Sequence, residues 1–132
     1  MKILVIDDDQ GMTDLLTILL TPTSSKILVA NNSQAGICAV EEERPDAVIL
    51  DLMLPELEGW QVCRSIREIS NVPILILSAI DAPGMVAQAL DNGADDYLTK
   101  PISSGTLIAH LNRLVRRYSP SQRNKIITES RL

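Results

Sequence analysis

Residues Lys2 to Asp9 read KILVIDDD, a short apolar run that passes directly into three acids. A continuous apolar run, in contrast to an alternating one, is typical of a strand covered on both faces, as in a parallel sheet. Further runs of this kind occupy residues 27–30, 47–50 and 74–77, with a weaker one near Tyr97 and Leu98. The pattern predicts five buried strands.

Segments of helical period separate these runs. Their apolar stripes comprise Met12, Leu15, Leu16 and Leu19; Trp60, Cys63, Ile66 and Ile69; and Leu107, Leu111, Leu114 and Val115. Ser33 is the expected cap of the second helix, Pro83 suits the first turn of the fourth, and Ser103 or Ser104 is the expected cap of the fifth. This alternation of strand and helix predicts a doubly wound α/β domain with right-handed crossovers.

The composition narrows the function classes. Of the 132 residues, 45% are hydrophobic, so the chain can bury an ordinary core, whereas only 2% are aromatic and Phe is absent. A surface that stacks nucleic-acid bases on aromatic rings is therefore not expected. A net charge of −5 argues against nonspecific nucleic-acid binding. No apolar run reaches the roughly 18 residues of a spanning helix, so we expect a cytoplasmic protein without membrane contact.

The charge changes sign near the end of the sequence. Residues 1–117 carry 9 basic and 16 acidic side chains, and residues 118–132 carry 3 and 1. This change predicts one domain over residues 1–117, followed by a polar tail or the start of a linker over residues 118–132. Cys38 and Cys63 lack metal-site spacing, and we interpret them as reduced, part-buried thiols, with a disulfide as the weaker alternative.

Polar residues follow several of the predicted strands, at the edge of a parallel sheet where ligands collect. Asp7 and Asp8 follow the first strand, Asp51 the third, Ser78 ends the fourth, and Lys100 comes after the fifth. Converging carboxylates repel one another and raise each other's pKa unless a cation neutralises them. Oxygen ligands without histidine favour Mg²⁺ over zinc or calcium.

This set of groups suits phosphoryl transfer. A carboxylate beside Mg²⁺ and an ammonium can act as a nucleophile toward phosphorus and form an acyl phosphate. We assign Asp51 as the nucleophile because it stands alone after the central strand. Asp7 and Asp8 would hold the metal, directly or through water, and Ser78 would donate a hydrogen bond to a phosphoryl oxygen.

Four ordered segments give the chain a specific resemblance. It resembles the receiver domains of two-component response regulators over about residues 1–117, and the matching segments are KILVIDDD (2–9), PDAVILDLMLP (45–55), PILILSA (73–79) and GADDYLTKP (93–101). The resemblance implies a three-layer, flavodoxin-like fold with five parallel strands in the order 2-1-3-4-5 and five helices.

The resemblance also implies residue roles and partners. A histidine kinase or phosphotransfer protein would phosphorylate Asp51 in a Mg²⁺-dependent reaction. Ser78 and Tyr97 would be the switch residues. The backbone carbonyl of Met53 would complete the metal ligands, and the bond before Pro101 would be cis.

The surface of the fourth helix, fifth strand and fifth helix would then change what it binds, whether a downstream protein or an attached effector domain, including a transcriptional one. As a phosphoacceptor, the domain would catalyse only its own phosphorylation and dephosphorylation.

Two departures from the family pattern give further hypotheses. Met53 and Ile80 are apolar at positions that tune how water reaches the acyl phosphate in the family, which predicts slow self-dephosphorylation. Val86 and His110 stand where the transcription-factor class usually has arginines for dimer salt bridges, so we expect only a weak or conditional homodimer.

Other polar and aromatic residues receive structural interpretations. Asp9 suits a helix start, and the pair Asp95 and Asp96 reads as a solvated turn. Residues 41–43, three glutamates, read as an exposed helix end, and Trp60 as core or semi-core packing. His110 has no ligand-type residues near it in the sequence.

Three alternatives remain. A phosphatase of the haloacid dehalogenase type needs a second acid two residues after its nucleophile, where this chain has Met53. A nucleotide-binding module would need a glycine-rich loop after the first strand. A degenerate receiver that serves only as a scaffold is disfavoured because the acidic residues, Ser78 and Lys100 are all present.

Overall fold

A computed structural model describes residues 1–52, 54 and 59–117. At its centre is a parallel sheet of five strands in the order β2-β1-β3-β4-β5, which confirms the predicted fold class. The strands are β1 (Lys2–Ile6), β2 (Lys26–Ala30), β3 (Ala47–Leu50), β4 (Ile74–Ser78) and β5 (Asp96–Thr99).

The helices alternate with the strands along the chain. They are α1 (Gln10–Leu19), α2 (Ser33–Glu43), α3 (Gly59–Ile69), α4 (Pro83–Asp91) and α5 (Ser104–Arg117), with a short 3₁₀ helix at Thr21–Thr23. Within the described residues, none of these helices has both the length and the apolar character needed to cross a bilayer.

Helix starts follow the expected residue types, with one shift in position. Asp9 caps α1, since its side chain accepts the N–H of Met12, and Pro83 is the first residue of α4. The prediction of Ser33 as the cap of α2 is wrong, because Asn32 accepts the N–H of Ala35 at 2.8 Å. Ser33 is instead the first, buried residue of that helix.

The sheet carries a core on each face. One core places α1 and α5 against the sheet and the other places α2, α3 and α4 against it. Both are built from aliphatic side chains, as the lack of Phe requires. The predicted stripes are slightly too wide, because Leu15 and Ile69 are each 45% exposed.

The two cysteines should react very differently with alkylating reagents. Both are free thiols; Cys38 is exposed and Cys63 is fully buried, and burial raises the pKa of Cys63 to about 12. Because the thiolate is the reactive form, we expect iodoacetamide at pH 8 to label Cys38 and leave Cys63 unmodified until the protein is unfolded. Mass spectrometry of tryptic peptides checks this, and equal labelling of both thiols in the native protein would contradict it.

Candidate functional site

The register of the sheet brings two acidic residues to the same edge. Ile6, the last residue of β1, pairs with Leu50, the last residue of β3, so Asp7 and Asp51 leave the sheet side by side. Backbone hydrogen bonds extend this order beyond the strands, because the N–H of Asp51 donates to the carbonyl of Ile6 at 3.0 Å. The site is thus built on the rigid centre of the fold.

A lysine that directly follows β5 lies between the two carboxylates. Lys100 Nζ is 3.2 Å from Asp7 Oδ2 and 3.4 Å from Asp51 Oδ2. The side chains are 16%, 3% and 13% exposed for Lys100, Asp7 and Asp51. Such low exposure weakens the screening of these charges by water, so the ammonium interacts strongly with both acids.

Asp8 completes an acidic cluster that fits a metal ion. Carboxylate oxygens of Asp7, Asp8 and Asp51 all lie within 4.8 Å of one another. Three hard oxygen donors, without histidine or cysteine, suit Mg²⁺, which is commonly held by a few carboxylates and completes its octahedron with water. The donor set therefore fits the ion that the sequence predicts.

Burial perturbs the proton affinity of this cluster. Removal from water raises the pKa of the Asp7 carboxyl, and the neighbouring charge of Asp51 raises it further. The N–H of Asp9, which donates to Asp7 Oδ1 at 3.0 Å, and the ammonium of Lys100 lower the same pKa. A divalent cation at this position would favour the ionised form.

Ser78 and Tyr97 lie on the neighbouring strands β4 and β5. Ser78 is 1% exposed, and its hydroxyl accepts the N–H of Ile80 at 3.3 Å. Tyr97 pairs with Ile76 in the sheet and its hydroxyl donates to the carbonyl of Ile80. Burial raises the pKa of the Tyr97 phenol, so it remains a hydrogen-bond donor at neutral pH.

The remaining predictions concern the peptide bond before Pro101, the carbonyl of Met53 and the tail. The Lys100–Pro101 peptide bond is cis, the geometry that the family resemblance implies. Met53, the proposed carbonyl ligand, lies outside the described residues, and so does the predicted tail, residues 118–132.

The interpretation of Asp95 and Asp96 as a solvated turn is wrong. Asp95 is paired with Arg67 of α3 at 2.7 Å. Asp96 opens β5, and its Oδ2 lies 2.6 Å from His110 Nδ1 and 2.8 Å from Arg113 Nη2. His110 therefore does have an acidic neighbour, which its position in the sequence did not reveal.

The sequence indicated only part of these ion pairs of Asp95 and Asp96. His110 and Arg113 are one helical turn apart, so both reach the same point beside α5. The residue that they meet, Asp96, comes from β5, and the link of Arg67 to Asp95 spans α3 and the approach to β5. Neither partner acid can be identified without the three-dimensional packing.

Comparisons with known proteins agree with this geometry. The family model for the response regulator receiver domain matches residues 3–112. The DNA-binding response regulator MtrA of Mycolicibacterium paratuberculosis is 41% identical over 116 residues, which are 88% of this chain and 52% of that protein. The chain thus spans about half the length of the curated relatives it matches.

Solved structures show the same fold. A two-component response regulator from Clostridium difficile superposes with a TM-score of 0.85 at 30% identity, covering 89% of this chain and 98% of that one. The receiver domain of a sensor histidine kinase from Pseudomonas aeruginosa, crystallised with magnesium in its active-site cleft, gives 0.80 at 27% identity, covering 86% and 96%. The chain therefore belongs to the response regulator receiver domain family, the signalling domains of two-component systems.

Proposed function

We propose that Asp51 accepts a phosphoryl group from a phosphohistidine of a partner kinase or phosphotransfer protein, in a reaction that requires Mg²⁺. The observation that carries this proposal is the position of Lys100 Nζ, within 3.4 Å of both Asp7 and Asp51, beside the cluster that Asp8 completes. Acidic residues, an ammonium and a buried hydroxyl meet here at one edge of the sheet.

The chain's own residues supply most of the chemistry. An oxygen of Asp51 attacks phosphorus in line; the P–O bond forms as the P–N bond to the donor histidine breaks, and the imidazole keeps the electron pair and takes a proton. Because the attacking carboxylate is already ionised, no general base is needed. Lys100 neutralises charge on the phosphoryl oxygens, and Ser78 donates a hydrogen bond to one of them.

Asp7 and Asp8, together with Asp51, would hold the Mg²⁺, and Met53 would add its carbonyl. The bound ion would supply positive charge to the equatorial oxygens of the transferring group. The related kinase receiver from Pseudomonas aeruginosa, which was solved with magnesium in its cleft, supports this assignment.

The output would follow from local changes around Ser78. In the proposed switch, the Ser78 hydroxyl turns toward the phosphoryl group. The Tyr97 ring, whose hydroxyl donates a hydrogen bond to the carbonyl of Ile80, is then held behind Ser78. The surface formed by α4, β5 and α5 then changes its affinity for a downstream protein or an attached domain. The relative MtrA is named as DNA-binding, which supports a transcriptional output, with residues 1–117 as the receiver and 118–132 as the start of a linker.

Intact-mass spectrometry tests the proposed function directly. Incubation with Mg²⁺ and acetyl phosphate should add the mass of one phosphoryl group, and chelation of the metal should prevent the addition. Asp51→Asn should abolish it, whereas Asp46→Asn, at an exposed acid before β3, should leave it unchanged. A wild-type protein that gains no such mass, or an adduct that persists in Asp51→Asn, would refute the proposal.

The acyl phosphate should be long-lived because of Ile80. This half-buried side chain stands two residues beyond Ser78 and cannot orient an attacking water. Ile80→Asn should speed loss of the phosphoryl mass by about tenfold, which corresponds to a barrier lowered by about 1.4 kcal/mol. Ile69→Asn, at the exposed end of α3, is the matched control. Equal decay rates in Ile80→Asn and the wild type would show that water access is set elsewhere.

A further inference from the structure

A cavity of about 470 Å³ lies at the edge of the sheet where the strands begin, between the C-terminal ends of α2 and α3. Its lining includes Asp46 and Pro73, which directly precede β3 and β4. Asp7 and Asp51 follow the opposite ends of their strands, so this α2–α3 cavity is separate from the acidic cluster. Its volume is large enough for several side chains.

Part of the cavity wall is apolar. Val40 and Val72, which line it, are only 2% and 6% exposed and belong to the core between the sheet and α2, α3 and α4. Ile69 lines the cavity as well, yet it is 45% exposed. A partner that covered the Ile69 side chain would gain the free energy of burying apolar surface.

Charged side chains form the rest of the wall, and much of their bonding capacity is unused. Among the described residues, neither the Glu41 carboxylate nor the Arg44 guanidinium has a hydrogen-bonding or ionic partner. Asp46 accepts the N–H of Lys2 with Oδ2 at 2.7 Å, whereas the Lys2 ammonium pairs with Glu43. Two carboxylates and one guanidinium thus face the cavity, which favours a partner with more positive than negative charge.

A segment of this chain has the matching chemistry. Residues 123–127 read RNKII, two basic side chains followed by two isoleucines. Residues 118–132 carry 3 basic and 1 acidic side chains, against 9 and 16 in residues 1–117. Arginine and lysine place an aliphatic stem against apolar surface while the charged head meets a carboxylate. The segment therefore complements the cavity in both charge and apolar surface.

The segment is also within reach of the cavity. Helix α5 starts beyond the end of β5 and ends at Arg117; its 14 residues span about 21 Å, more than the length of a five-residue strand. Its Leu114 shares a core with Ala47, the first residue of β3, so α5 ends toward the edge that holds the cavity. Six residue steps from Arg117 to Arg123 span about 20 Å when extended, enough to cross two layer spacings of about 10 Å.

We propose that residues 123–127 dock in the α2–α3 cavity, with Arg123 and Lys125 facing Glu41 and Asp46 and the isoleucines packed against Ile69. None of these residues belongs to the acidic cluster, so the inference goes beyond the proposed function and does not depend on it. A domain attached after residue 132 would then start from the edge of the sheet opposite to the phosphorylation site.

Paramagnetic broadening of NMR signals tests the docking, with a nitroxide on the exposed thiol of Cys38, one helical turn before Glu41. Cys63 is buried and stays unlabelled. In the wild type, amide signals of residues 123–127 should broaden more than those of residues 130–132. Reversing both charges in Arg123→Glu/Lys125→Glu should reduce this broadening by about tenfold, since two attractions become repulsions. Arg131→Glu makes the same kind of charge change outside the segment and should leave the broadening unchanged.

A pair of variants on α2 separates the cavity from general attraction to an acidic helix end. Glu41→Lys should reduce the broadening of residues 123–127 by about fivefold. Glu42→Lys, at the next position, is exposed and outside the cavity lining, so its effect should be much smaller. Equal reductions in the two variants would refute docking in the cavity.

The occupant is decided by a mixing experiment. Nitroxide-labelled protein of natural isotope composition is added to unlabelled, isotope-enriched protein; broadening of residues 123–127 in this mixture would assign the cavity to a second copy and refute docking within one chain. Equal broadening of residues 123–127 and 130–132 in the labelled wild type would refute docking altogether. All samples lack Mg²⁺ and phosphodonor, so a failure of the phosphorylation test leaves these outcomes unaffected.

Discussion

Replacing Lys100 with methionine is expected to slow phosphorylation of Asp51 by about 10²- to 10³-fold, the usual effect of removing one donor that stabilises transition-state charge. The ammonium lies 3.2 Å from Asp7 Oδ2 and 3.4 Å from Asp51 Oδ2, so it is placed to neutralise oxygens of the incoming group. Methionine keeps most of the side-chain volume and removes the ammonium, with its charge and its hydrogen-bond donors. The rate of phosphoryl mass gain with acetyl phosphate at saturating Mg²⁺ measures the effect.

Lys26→Met provides the matched control, since Lys26 is exposed on the edge strand β2 and the variant makes the same charge change. Its phosphorylation rate should equal that of the wild type. Thermal unfolding of both variants shows whether a slow rate reflects chemistry or loss of fold. A Lys100→Met protein that is folded and phosphorylated within twofold of the wild-type rate would remove the lysine from the mechanism.

The predicted edge of the sheet is where sequence reasoning was most informative. Buried parallel strands have a local signature, the unbroken apolar run, and polar residues that directly follow such runs must meet at one edge. Asp7, Asp51 and Ser78 are therefore expected at one edge without knowledge of any side-chain conformation. The structure confirms the parallel sheet and its strand order, from which this expectation follows.

Features that depend on side-chain direction could not be predicted in the same way. Asn32 and Ser33 are both good capping residues, and local sequence does not determine which of them precedes the first turn. The acids Asp95 and Asp96 are adjacent in sequence but pair with different helices, α3 and α5. Such choices depend on how the helices pack across the sheet, and that information is not local.

The Arg67 cluster is one of these nonlocal features, and its loss is expected to be costly. Arg67 donates to the carbonyls of Val72 at 2.6 Å and Gly93 at 3.0 Å, in addition to its ion pair with Asp95, which is 11% exposed. Arg67→Met removes these donors and leaves a nearly buried carboxylate without its cation. Breaking a pair of this kind typically costs about 3–5 kcal/mol. Urea denaturation followed by circular dichroism measures the free energy of unfolding.

Asp95→Asn provides the second corner of a double-mutant cycle. An asparagine oxygen can still accept the N–H of Ile74, and Arg67 keeps its carbonyl partners, so this variant should lose only about 1–2 kcal/mol. In the Asp95→Asn background, Arg67→Met should then cost clearly less than it does alone, because no buried charge is left behind.

Arg64→Met is the matched control, since Arg64 is exposed on the same helix and should change the unfolding free energy by less than about 0.5 kcal/mol. Equal costs for Arg64→Met and Arg67→Met would mean that the cluster adds nothing beyond ordinary helix packing. The geometry at Gly93 supports a larger cost for Arg67→Met than for Arg64→Met. Gly93 has a φ of +112°, and a Cβ there would lie 2.6 Å from Arg67 Cγ. The backbone at Gly93 thus leaves no room for a side chain beside Arg67. The same arginine holds the end of α4 through the carbonyl of Gly93.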